Sequence, residues 1–160
     1  YVRAGVRDQL RLRQYGWHMV EHPLDFSRRD WQTAASARRF ECGSPNMLGI
    51  HALSASLALL AEVGMETVAA RVLENSAYLM EALGALPGVE ILTPRQPGRY
   101  AGIVNFSHRH VDAADLHSRL LVRNVICAQR GGGVRFSPHF HTSLAQLAAA
   151  VAAVADVISS

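Results

Sequence analysis

The stretch Gly131-Gly132-Gly133-Val134-Arg135-Phe136-Ser137-Pro138-His139-Phe140-His141 decides how the second half of this chain folds. Three glycines lead into a short β-prone segment that Pro138 stops. Val134 and Phe136 alternate with Arg135 and Ser137, so a strand here turns two apolar side chains to one face and the arginine to the other. The glycines keep the approach to Arg135 open. A guanidinium on a short strand suits a planar anion such as a carboxylate, which it holds with two parallel hydrogen bonds. The plainer alternative is an edge-strand arginine paired with a surface acid, since most charged residues are solvated.

The elements before this strand are read from apolar periodicity. Ser44-Pro45 looks like a helix entrance, with serine as the cap and proline at the first helical position. A helix over 46–63 follows, with Met47, Leu48, Ile50, Leu53, Leu57, Leu59, Leu60 and Val63 going most of the way round, so burial on several sides is expected. Gly64 stops it. A second helix spans about 65–86, with Val68, Val72, Leu79, Leu83 and Leu86 inward. Pro87-Gly88 turns the chain into a strand at 89–92, and a second strand is expected at 102–106. Asp112 caps a helix through Leu116, Leu120 and Leu121. Strands are expected at 125–128 and 134–137, and a last helix starts at Thr142 or Ser143. Residues 65–160 therefore read α-β-β-α-β-β-α. The fold class is α+β, an antiparallel sheet of about four strands with helices on one face. Residues 1–45 show no clear period beyond a possible short helix from Val6 to Gln14. Residues 16–33 look like a long irregular connection.

Composition narrows the function. The chain has 160 residues and a net charge of +3, with its basic residues scattered, so nothing argues for a nucleic-acid partner. All 16 residues of the Lys/Arg class are arginine. This chain can therefore form no Schiff base to a lysine and supply no phosphate-loop lysine. Cys42 and Cys127 make no disulfide framework. No apolar run suggests a signal peptide or a membrane span, so a cytoplasmic setting is expected. The chain opens without methionine, on what reads as the end of a strand, and a piece of a longer protein is expected.

Four smaller features have competing readings. Glu41-Cys42-Gly43-Ser44 stands at a helix entrance, where free N–H groups and the helix dipole can hold an anion; the plainer reading is an ordinary cap. The glycine triplet at 131–133 is no nucleotide loop, because a strand rather than a helix follows it. His108 with His110, and His139 with His141, have the spacing of paired metal ligands, but no carboxylate or cysteine joins them, and no metal site is assigned. Cys127 reads as a buried structural thiol in an apolar strand.

Two longer motifs carry a resemblance. Arg39-Phe40-Glu41-Cys42-Gly43-Ser44-Pro45-Asn46, followed by an alanine-rich helix, resembles the Arg-Phe-Glu-x-Gly-Thr-Pro-Asn segment of class V aminotransferases. Gly133-Val134-Arg135-Phe136-Ser137-Pro138-His139-Phe140 is similar to that family's C-terminal motif, Gly-hydrophobic-Arg-x-Ser-Pro-His-Phe-Tyr. The family includes cysteine desulfurases, selenocysteine lyases, kynureninase and isopenicillin-epimerase-like proteins, all dependent on pyridoxal 5'-phosphate. The resemblance implies a fold-type I enzyme, with residues 1–64 as the tail of the large cofactor domain and 65–160 as the small C-terminal domain. It implies that Arg135 holds the α-carboxylate of an amino-acid substrate. It further implies that Ser44, in place of threonine, reaches the cofactor phosphate, typically in the partner subunit of a homodimer, and that Gly43 permits that approach. His141 departs from the usual tyrosine. The Schiff-base lysine would precede Tyr1, so no catalytic residue is assigned and the chain alone is expected to be inactive. Cys127 does not match the loop cysteine of desulfurases, which argues for another amino-acid substrate. A non-catalytic carboxylate-binding domain and, further off, a histidine-based metal protein are the competing classes.

Overall fold

Two alternating segments, Val104-Asn105-Phe106 and Val134-Arg135-Phe136, build the centre of the fold. In the computed structural model, which describes all of Tyr1–Ser160, they pair antiparallel as the inner strands β2 (Val104–His108) and β4 (Gly133–Phe136). The outer strands are β1 (Val89–Ile91) and β3 (Ala128–Arg130), giving the order β1-β2-β4-β3. Every neighbouring pair is antiparallel. Val104, Phe106, Val134 and Phe136 point to one face and are buried. The Phe106 and Phe136 rings meet edge to face at 5.1 Å. Burying a side chain of this size contributes roughly 1.5–3 kcal/mol.

Helices α2 (Met65–Gly84), α3 (Ala113–Val122) and α4 (Leu144–Ser159) supply the other half of that core. Leu79 and Leu83, Leu116 and Leu120, and Leu147, Val154 and Val157 close over the sheet's apolar face. The order is α-β-β-α-β-β-α, as read from the sequence. Asp112 caps α3 through the Ala114 N–H. Ser143 and Gln146 cap α4 reciprocally, satisfying two backbone donors at once. Two buried polar residues of α2 were not anticipated. Asn75 donates to the carbonyls of His139 and Thr142 at 2.9 and 3.0 Å, and Ser76 donates to that of Ala101 at 2.7 Å.

Strand boundaries shift from those expected. The second strand starts at Val104 rather than at residue 102. The third moves from 125–128 to Ala128–Arg130. The reason is local: α3 ends on Asn124 in the left-handed region (φ 59), and the Val125 N–H is still tied back to the Leu120 carbonyl. Ile126 is 92% exposed, so apolar character did not signal burial there. Cys127 consequently lies before the strand, not in it. Its carbonyl meets His117 Nε2 at 3.2 Å rather than a ladder partner. β3 and β4 join through Gly131 and Gly132, with φ of 55 and 79, the two positive values that a tight two-residue hairpin turn demands.

The chain separates into two compact units, Tyr1–Ser56 and Leu57–Ser160. The division falls within α1 (Met47–Val63). The first unit is built from 3₁₀ turns at Ala4–Gln9, Trp17–Met19 and Ala37–Phe40 and one bridge, Val20 to Thr33. The helix expected at 6–14 is thus the shorter 3₁₀ turn. None of its residues is buried, so no packing supports a longer helix. Two arginines tie the unit together. Arg38 donates to the Val20 and Glu21 carbonyls, and Arg39 to Ala34 and, at 2.6 Å, to Asp8.

Two expectations about α1 are corrected. Its cap is Asn46, whose Oδ1 accepts from the Gly49 N–H at 2.9 Å. Ser44 stands two residues too early to reach the free N–H groups of the first turn. The helix is also not buried: it has no buried residue, and Leu48 is 84% exposed. Its apolar side chains are spread around the axis, and no segment of this chain encloses them.

Candidate functional site

Arg135 sits on an inner strand, between β2 and β3, so it is not the edge-strand arginine of the plainer reading. Its cross-strand neighbours are Asn105 on β2 and Ala128 on β3. With Val134 and Phe136 turned into the helix-covered core, the arginine emerges on the opposite face of the sheet. The five ion pairs of the structure do not include it. Its Nε is buried and has no hydrogen-bond partner. Leaving such a donor unpaired costs about 1–3 kcal/mol, so the geometry favours an acceptor arriving from outside the strand. The neighbouring alanine adds no bulk beside the guanidinium.

The elements around Arg135 are held firmly. Gly133 lies so close to β2 that a Cβ would stand 2.3 Å from the Phe106 carbonyl oxygen. At the other end of β4 the chain runs through Ser137 and Pro138 into a loop fixed by the two bonds from Asn75. Asn105 fixes the hairpin: its Nδ2 donates to the carbonyls of Arg130 and Gly131 at 3.0 and 3.4 Å. The sequence does carry the signal for Asn105, a polar residue between inward Val104 and Phe106, but the reading from sequence passed over it.

Gly43 and Ser44 belong to the first unit. The segment before them is held by backbone contact: the His18 N–H reaches the Cys42 carbonyl at 3.5 Å, and a Cβ on Gly16 would stand 1.8 Å from that same oxygen. His18 Nδ1 stands 3.6 Å from Glu41 Oε2. A Cβ on Gly43 would meet only Trp17 Nε1, at an ordinary 3.6 Å. Packing within the chain therefore does not require glycine at 43. Ser44 is exposed, and the helix cap is made by Asn46 instead, which leaves the serine hydroxyl free for another acceptor or donor.

The histidine pairs lie close, with ring centroids 6.0 Å apart for His108 and His110 and 5.1 Å for His139 and His141. No group of three His, Cys, Asp or Glu side chains converges as metal ligands would. His108 is engaged in structure: Nε2 faces the Pro87 carbonyl at 3.2 Å, and Nδ1 accepts from the Val111 N–H at 3.1 Å. Both cysteines are free thiols, and burial pushes the Cys127 thiol up from its ordinary range. A raised thiol pKa disfavours the thiolate that a nucleophile needs.

The chain is similar to several known proteins. The family model for aminotransferase class V matches residues 1–150. An uncharacterized aminotransferase, YcbU, of Bacillus subtilis is 29% identical over 97% of this chain and 40% of its own length. A kynureninase of Deinococcus radiodurans is 26% identical over 98% of this chain and 39% of its own length. The chain thus spans about 40% of the length of these relatives. Among solved structures, the apo cysteine desulfurase of Thermococcus onnurineus superposes with a TM-score of 0.86 at 21% identity, over 99% of this chain and 42% of that one. The K223A mutant of C-DES, with glycine covalently linked to its pyridoxal-phosphate cofactor, gives 0.82 at 19% identity, over 98% of this chain and 40% of that one. These last two likenesses describe the fold.

Proposed function

Because the chain belongs to the class V aminotransferase family, we propose that it forms the C-terminal part of a pyridoxal-phosphate enzyme acting on an amino acid. Arg135 receives the substrate's α-carboxylate. Gly43 and Ser44 contact the cofactor phosphate, in the arrangement where a homodimer's partner subunit binds that cofactor. The observation that carries the reading is the unpaired guanidinium on an inner strand, with its Nε buried and no acid joined to it.

The residues present fit the group. The Ser44 hydroxyl is not consumed by the helix cap, and Gly43 lets a ligand approach the backbone with only the Trp17 ring nitrogen nearby. When bound, the cofactor supplies an electron sink for a bond broken at the substrate's α-carbon. The chain's own contribution is orientation. Two parallel N–H···O bonds from Arg135 remove rotational freedom from the carboxylate before any bond breaks. The chain has no lysine, so it forms no covalent link to the cofactor by itself and is inactive alone. A cofactor adduct on the purified chain that survives borohydride reduction would sink that statement.

The role of Arg135 is tested by titrating the chain with amino acids and keto acids. Carboxylate binding is expected to vanish in Arg135→Ala and to weaken about tenfold in Arg135→Lys, which keeps the charge but loses the fork. Binding that survives Arg135→Ala overturns the assignment.

A further inference from the structure

Arg135 is not the only arginine on the open face of the sheet. In the β3–β4 hairpin Arg135 stands opposite Ala128, and Arg130 stands opposite Gly133. Residues two apart on one strand share a face, so Arg130 emerges on the same side as Ala128 and Arg135. Each arginine thus has across from it a residue that offers only a methyl group or a hydrogen. The backbones of the two arginines are diagonal neighbours, a spacing of about 7–8 Å that long side chains bridge. The base of Arg130 is fixed: Asn105 Nδ2 donates to its carbonyl at 3.0 Å, and the turn at Gly131 and Gly132 closes the hairpin beside it. Its side chain is exposed, so its head can turn toward a ligand.

The charge on this face is unbalanced. Neither arginine belongs to any of the five ion pairs. The one acid within the four strands, Glu90, lies on β1, with β2 between it and β4. Two guanidinium groups on one short hairpin repel each other, and no acid of the sheet joins them. They suit a ligand that brings two negative charges. A single carboxylate on Arg135 leaves Arg130 without an anion.

We infer that Arg130 is a specificity-determining residue that receives a second acidic group, so that the amino acid held by Arg135 carries an anion in its side chain. The inference rests on the carboxylate role of Arg135. The half-buried arginine of the inner strand takes the α-carboxylate, and the exposed arginine of the edge strand takes the side-chain anion. The α-amino group is engaged by neither.

The test compares butyrate with succinate and glutarate by calorimetric titration of the chain at neutral pH. The better of the two diacids is expected to bind about fivefold more tightly than butyrate. In Arg130→Gln the diacid falls to the butyrate value while butyrate itself is unchanged, and Arg130→Lys keeps part of the preference. Arg71→Gln removes the same charge from the exposed face of α2 and is expected to keep all of it. A preference that persists in Arg130→Gln overturns the inference, and so does one that is lost equally in Arg71→Gln, which would mark a response to net charge only. Equal weakening of butyrate and the diacids in Arg130→Gln also overturns it, since both arginines would then share one carboxylate. If none of the acids binds, or binding ignores Arg135→Ala, the carboxylate reading itself fails. If binding depends on Arg135 but does not distinguish the diacids from butyrate, only the role of Arg130 fails.

Discussion

Gly133 stands against Phe106 so tightly that a Cβ at 133 would lie 2.3 Å from the Phe106 carbonyl oxygen and 2.8 Å from its carbon. The obstacle is the backbone of the neighbouring strand, which cannot rotate away as a side chain can. Gly133→Ala is therefore expected to pry β4 from β2 at the root of the strand that bears Arg135. Overpacking of this kind costs typically 1–3 kcal/mol. Urea denaturation reads it as a lower midpoint. A variant with an unchanged midpoint would show that the two strands do not approach so closely.

Asn75 supports the same strand from its other end. It is buried on α2, and its amide binds the carbonyls of His139 and Thr142. Asn75→Leu would remove both bonds, leaving the His139 carbonyl only the Thr142 N–H at 3.0 Å, and add a bulkier terminus. The expected loss is about 1–3 kcal/mol, with hydrogen exchange at 139–142 faster than in the parent. Slow exchange there in the variant would show that other contacts hold the loop.

What the sequence disclosed depended on how each signal arises. The alternation around Arg135 places side chains by geometry, and it located both the strand and the outward face of the arginine. The helices of the second unit followed from their caps and apolar periods, and Asp112 was read correctly. Val125 and Ile126 misled because β-branched residues resemble a strand wherever they stand. What delays pairing is the left-handed Asn124 and the tie from Val125 to Leu120, neither of which has a composition signal. Asn105 was passed over because its role, clamping the hairpin through the Arg130 and Gly131 carbonyls, is a long-range fact.

The entrance of α1 offers a direct contrast between two neighbouring polar residues. Asn46 makes the cap bond to the Gly49 N–H, whereas Ser44 does not cap. Asn46→Ala is expected to destabilise the chain by about 1 kcal/mol, and Ser44→Ala by close to nothing. Thermal denaturation of both variants decides between them. A larger loss for Ser44→Ala would return the cap to the serine and withdraw its hydroxyl from any phosphate role.

Cys127 gives a pH-dependent prediction. Desolvation by burial raises its thiol above the ordinary 9.0, because the apolar surroundings disfavour the charged thiolate. The sign follows from the neutral form being preferred in the fold. The contribution to stability is fully present below pH 9.0, where the unfolded thiol is also protonated, and it fades as pH climbs through the higher folded value. In a Cys42→Ser background, reaction of Cys127 with a disulfide reagent should therefore be slow at pH 8 and accelerate only above pH 9. The same variant should lose more stability as pH rises above 9 than Cys42→Ser/Cys127→Ala does. Thiol reactivity that already plateaus near pH 8.5 would mean that Cys127 is wetter and more acidic than its surroundings require, and would reopen the case for a nucleophile at that position.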